Sequence, residues 1–141
     1  MELGTCSWTL GLKDLEQLMS KVKSLGLDGL HFCEKLTDYS PIDVRETAER
    51  YGLKIFAIDP FYAKPENSSD ATLANAISYY SEVIDFAVEA NSPWVTLQAL
   101  PKWTINCSSE AEKYTFLAEA CKKLDAYAKL KKVKLVYEAV N

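Results

Sequence analysis

Five short apolar or β-branched runs alternate with four segments of helical period, and this alternation restricts the fold more than any other feature. The strand-like runs are Glu2 to Trp8, Asp28 to Cys33, Leu53 to Ile58, Pro93 to Gln98 and Val133 to Glu138. After the first, Leu12, Leu15, Leu18, Met19, Val22 and Leu25 recur at helical spacing, and Gly26 supplies the stop. Ser40-Pro41-Ile42-Asp43 reads as a helix start, with serine as cap, proline in the first turn and Asp43 in the capping-box position. That helix ends at Tyr51-Gly52. The third helical face carries Leu73, Ala76, Ile77, Tyr80, Ile84, Ala87 and Val88, with Asn91 in the left-handed cap position. Ser109 and Glu112 form a second capping box, opening the helix of Phe116, Leu117, Ala120, Leu124 and Tyr127.

Strands separated by helices run parallel and are joined by right-handed crossovers. The expectation is therefore an α/β fold of parallel β/α units, with about five strands and four helices. Two architectures satisfy it, an open doubly wound sheet and a partial (β/α)8 TIM barrel. The pattern alone does not choose between them. A whole barrel takes about 250 residues. On the barrel reading the 141 residues form a single domain, 1–141, truncated after strand five.

Charge and composition narrow the function classes. The net charge is −4, and Lys and Arg are scattered along the helices. A nucleic-acid or anionic-membrane surface needs a basic stripe, so neither partner is expected. The basic concentration from Lys129 to Lys134 suits a helix C-terminus facing its own dipole. No apolar run approaches the ~20 residues that span a bilayer. Met1-Glu2-Leu3-Gly4 leads straight into a strand, so no signal peptide is expected and a cytoplasmic location is the default. Cys6, Cys33, Cys107 and Cys121 show no CxxC spacing, which argues against structural disulfides or a zinc site. The five glycines, at 4, 11, 26, 29 and 52, form neither GxGxxG nor a P-loop, which disfavours nucleotide binding.

Parallel strands gather their C-terminal ends on one face, where α/β folds build their sites. That face would collect Ser7 and Trp8, then Cys33 and Glu34, then Asp59, Gln98 and Glu138. Trp8 and Phe61 could stack on the apolar face of a ligand or pack in the rim. Glu34 could bind substrate or cap a loop. Asp59-Pro60 is a turn signal as well as a candidate contact. Gln98 could donate to a hydroxyl. Trp103 could form a lid or anchor a surface loop. His31, the sole histidine, is either a satisfied interior residue or a substrate-hydroxyl contact. Cys6 and Cys33 read as small buried hydrophobes rather than nucleophiles.

Several segments carry a family resemblance. They are Leu3-Gly-Thr-Cys-Ser-Trp8, Leu25-Gly-Leu-Asp-Gly-Leu-His-Phe32 and Tyr51-Gly-Leu-Lys-Ile55. Two more are Ile84-Asp-Phe-Ala-Val-Glu-Ala-Asn-Ser-Pro-Trp-Val95 and Val133-Lys-Leu-Val-Tyr-Glu-Ala-Val-Asn141. In order and spacing they resemble the first five units of the xylose-isomerase-like TIM-barrel family of sugar and sugar-phosphate isomerases and epimerases. That family includes inosose isomerases and ketose 3-epimerases, and is related to endonuclease IV. The resemblance implies that Glu138 is a divalent-metal ligand and proton-transfer group, the metal being Mn²⁺, Mg²⁺ or Co²⁺. It also implies an aspartate, a histidine and a second glutamate from strands six to eight. Where the family often has glutamate in strand two, this chain has His31.

Three functions follow as expectations. The first is a metal-dependent aldose–ketose isomerase or C3 epimerase acting on a small sugar or polyol, incomplete in this chain. The second is a non-catalytic truncated barrel or partner-binding fragment. Its open edges predict a homo-oligomer or pairing with a missing C-terminal half. The third is an endonuclease-IV-like repair enzyme, whose zinc cluster needs histidines that strands three and four lack.

Overall fold

The computed structural model describes residues 1–61 and 63–137. Its strands are β1 (Gly4–Cys6), β2 (Gly29–Glu34), β3 (Lys54–Pro60), β4 (Trp94–Thr96) and β5 (Lys134–Val136). The helices are α1 (Leu15–Ser24), α2 (Pro41–Arg50), α3 (Leu73–Glu89) and α4 (Glu110–Lys131). The sheet order is β1-β2-β3-β4-β5, and every neighbouring pair is parallel. This order settles the architecture. A doubly wound sheet reverses its strand order at a switch point, and this one never does. Sequential right-handed crossovers put successive helices on one face, as in a TIM barrel. The fold is a partial (β/α)8 barrel.

The helix starts form as the side chains dictate. Asp14, Ser40, Thr72 and Ser109 each accept the backbone N–H three residues on. Glu112 returns its carboxylate to the N–H of Ser108 rather than to that of Ser109, one residue outside an ordinary capping box. Asn91 takes the left-handed conformation expected of it, at φ 54°, and Gly26 does so at φ 71°. Val88, expected on the buried face of α3, is exposed.

Strand limits differ from the sequence reading in an informative way. β1 stops at Cys6, and Ser7–Leu10 forms a 3-10 turn. Ser7 is pulled aside because its hydroxyl accepts the N–H of Cys33. β3 instead runs two residues further, so that Asp59 and Pro60 pair with Cys33 and Glu34. The Asp59-Pro60 turn signal is thus a strand end. Glu138, predicted to end strand five, lies outside the described residues.

The core lies between sheet and helices. Leu30, Phe32, Ile55, Ile58 and Val95 from the strands meet Leu18, Val22, Val44, Ala76, Tyr80 and Leu124 from the helices, all buried. Strand side chains alternate between faces. His31 and Cys33 therefore point to the opposite, concave face. Phe56 fills the N-terminal end of that face. A bulge between Leu30 and His31 accommodates it, and its ring lies where a Cβ on Gly4 would sit, 2.7 Å away. A Cβ on Gly29 would come within 2.2 Å of the Lys54 carbonyl oxygen. Glycine is required at that close approach.

Candidate functional site

The site is built where β1, β2 and β3 end. Ser7 is fully buried and joins two strands. Its hydroxyl donates to Glu34 Oε1 at 2.9 Å and accepts from the Cys33 N–H at 2.9 Å. The other oxygen of Glu34 accepts from Lys13 Nζ at 2.5 Å. Lys13 reaches in from the segment before α1, and its side chain is largely exposed. Glu34 is 1 % exposed, so its charge is tolerable because both oxygens are engaged.

Asp59 lies beside Cys33 in the register and is 7 % exposed. Its Oδ1 is buried without a hydrogen-bond partner. Such a carboxylate oxygen is costly unless something arrives to satisfy it. Burial, then the neighbouring Asp59 charge, push the Cys33 thiol well above its ordinary range.

Cys6, His31 and Cys33 are distant in sequence and adjacent in space. Cys6 pairs with His31 across β1 and β2. The Cys6 Sγ and His31 Nδ1 are 3.9 Å apart. Ligand atoms of all three residues lie within 4.8 Å of one another. The cysteines show no metal-ligand spacing along the chain, but the register of β1 and β2 brings these residues together. The cue was present in the sequence, since a His-x-Cys pair must share one face of a strand.

The remaining candidates fall around the rim. Trp8 is 54 % exposed, and its ring stacks near that of Phe61, with centroids 6.2 Å apart and planes 23° apart. Gln98 is half-buried just beyond β4. Trp103 is no lid. It is 5 % exposed and packs against Tyr79, with centroids 5.6 Å apart. Two clefts open elsewhere. One of about 580 Å³ sits by the N-terminal ends of the strands, around Leu53, Phe56 and Trp94. One of about 830 Å³ opens between α3 and the loops that follow β2 and β3, around Lys64, Tyr79 and Phe86. Neither holds the strand-end polar groups, because the concave face of an open barrel is not enclosed.

The described carboxylates do not make the near-octahedral oxygen set that Mg²⁺ or Mn²⁺ favours. Glu34 is engaged with Lys13 and Ser7, which leaves Asp59. Glu138, the ligand implied by resemblance, falls outside the described residues.

Comparison with known proteins agrees with the topology. The family model for the xylose isomerase-like TIM barrel matches residues 19–141. The chain belongs to this family. No curated protein matches it in sequence. Among solved structures, it superposes on the 3-keto-D-glucoside 4-epimerase of E. coli with TM-score 0.77 at 13 % identity. That match covers 100 % of this chain and 57 % of the epimerase. A D-psicose 3-epimerase with D-tagatose, from Clostridium cellulolyticum H10, gives TM-score 0.76 at 18 % identity, covering 100 % and 53 %. A family 2 AP endonuclease from Brucella melitensis gives 0.73 at 10 %, covering 100 % and 56 %. At such identities the likeness shows the fold. The chain spans about half the length of the structures it matches.

Proposed function

We propose that this chain supplies the first five β/α units of a sugar or sugar-phosphate isomerase or epimerase, taking a small sugar or polyol at the C-terminal ends of its strands. The observation that supports this reading most is the convergence on that rim of a stacked aromatic pair and a buried, unsatisfied carboxylate. Trp8 and Phe61 offer an apolar platform to the C–H face of a sugar ring. Asp59 Oδ1 accepts from a hydroxyl, and Gln98 offers a further amide at the rim. Glu34 holds the rim in shape through Ser7 and Lys13. His31 faces the interior below them.

Two further parts of the proposal rest on the family resemblance. Glu138 is the proton-transfer carboxylate, and the partner ligands of a bound Mn²⁺, Mg²⁺ or Co²⁺ belong to strands six to eight. Such an ion, when bound, would polarise the sugar carbonyl and acidify the neighbouring C–H. The strand partners come from a C-terminal half or a second copy, in a cytoplasmic setting, without nucleic acid or membrane. The endonuclease reading gains the fold likeness alone. The described residues include one histidine, and the net charge of −4 disfavours a phosphate backbone.

The test is proton exchange. The full product of the gene is incubated with Mn²⁺ and a panel of ketoses and ketose phosphates in deuterated water. Deuterium uptake beside the carbonyl, lost in Glu138→Gln, is the expected result. No uptake from any member, or uptake that survives Glu138→Gln, would overturn the proposal.

A further inference from the structure

We propose that Cys6, His31 and Cys33 form a soft-metal site, for Zn²⁺, on the concave face of the barrel between β1 and β2. In a tetrahedral zinc site with Zn–S of about 2.3 Å and Zn–N of about 2.0–2.1 Å, neighbouring ligand atoms stand roughly 3.5–3.8 Å apart. The Cys6 Sγ and His31 Nδ1 are separated by 3.9 Å. The full trio lies within 4.8 Å, so small rotamer changes close it around an ion. Backbone pairing holds the set in place. Cys6 and His31 are register partners, and Cys33 stands two residues further along the same face of β2.

Ligand chemistry selects the ion. Two thiolates and an imidazole suit Zn²⁺ and disfavour Mg²⁺ or Mn²⁺. Three protein ligands leave a fourth position for water, the arrangement of catalytic rather than structural zinc. The second observation is Asp59. It is 7 % exposed, it pairs with Cys33 across β2 and β3, and its Oδ1 is buried without a hydrogen-bond partner. That oxygen accepts from the metal-bound water, and its second lone pair stays open to the sugar hydroxyl of the proposed function. Carboxylates commonly orient such waters and ligands from the outer shell. Binding displaces the thiol protons, which leave as protons to solvent, and no electron transfer is involved. The site uses none of the strand-five to strand-eight residues invoked for the isomerase activity.

The test uses Co²⁺ as a spectroscopic stand-in for Zn²⁺. The protein, reduced with a phosphine that does not bind metal, is stripped with chelator and titrated with Co²⁺. One equivalent is expected to give thiolate-to-cobalt charge-transfer absorption in the near ultraviolet, abolished when Zn²⁺ is added. Cys6→Ser should lose the band. Cys6 is only partly buried, so this variant should fold, and circular dichroism checks that it does. Cys107→Ser and Cys121→Ser should keep the band. Glu138→Gln should also keep it, which separates this site from the isomerase metal. Absence of the band from the reduced parent, or its survival in folded Cys6→Ser, would overturn the proposal.

Discussion

Ser7 has one of the smallest side chains at the strand mouth and ties β1 to β2 there through two hydrogen bonds. Replacing it with alanine would leave Glu34 Oε1 and the Cys33 N–H buried without their partner. The expected cost is about 2–3 kcal/mol, read as a lower urea midpoint with an unchanged slope. The role of Glu34 follows from this. The sequence marked it as a strand-end acid, but its partners come from the β1–α1 connection, whose path is fixed by tertiary structure. Tyr79 gives a second residue-scale expectation. Burial foremost, then Glu82 and Asp59, push its hydroxyl up to about 12 from 10.0. The folded state therefore holds that proton after the unfolded chain has released it. Stability is full below the unfolded value and falls as pH rises from 10.0 towards about 12. Denaturant midpoints across that range should fall less steeply in Tyr79→Phe than in the parent.

At the scale of elements, the close approach between β2 and β3 is the most restrictive. Gly29→Ala would drive a Cβ to within 2.2 Å of the Lys54 carbonyl oxygen, against backbone that cannot swing away. A loss of about 3 kcal/mol is expected, visible as a lower melting temperature and weaker amide protection in β3. Asn91→Gly should act the other way. Asn91 holds φ 54° at a helix end, a conformation glycine adopts without strain. A gain of about 0.5 kcal/mol is expected in thermal melts. Element types were readable because caps and stops are local: Ser40, Ser109, Gly26 and Asn91 act within one helical turn. Strand ends were less readable. Whether β1 stops at Cys6 and β3 reaches Pro60 depends on side chains from neighbouring strands. The Cys6–His31–Cys33 cluster escaped the spacing argument for the same reason, since it exists only once the register between β1 and β2 is set.

Across the whole molecule, the strand order carries the functional reading. Five parallel strands in sequential order define one rim where their C-terminal ends meet. That rim brings Trp8, Glu34 and Asp59 together, with Gln98 just beyond β4. Among the described residues, no helix is long and apolar enough to cross a membrane. The clefts by the N-terminal strand ends and beside α3 lack the buried unsatisfied carboxylate that a hydroxylated ligand would meet. Amide chemical-shift mapping on isotope-labelled protein, titrated with a ketose to saturation, tests this directly. The expected result is shifts at residues 7–11, 33–35, 59, 61 and 97–99, with residues 26–28, 52–54, 91 and 92 unmoved. Shifts confined to that second set, or none at saturating sugar, would contradict it.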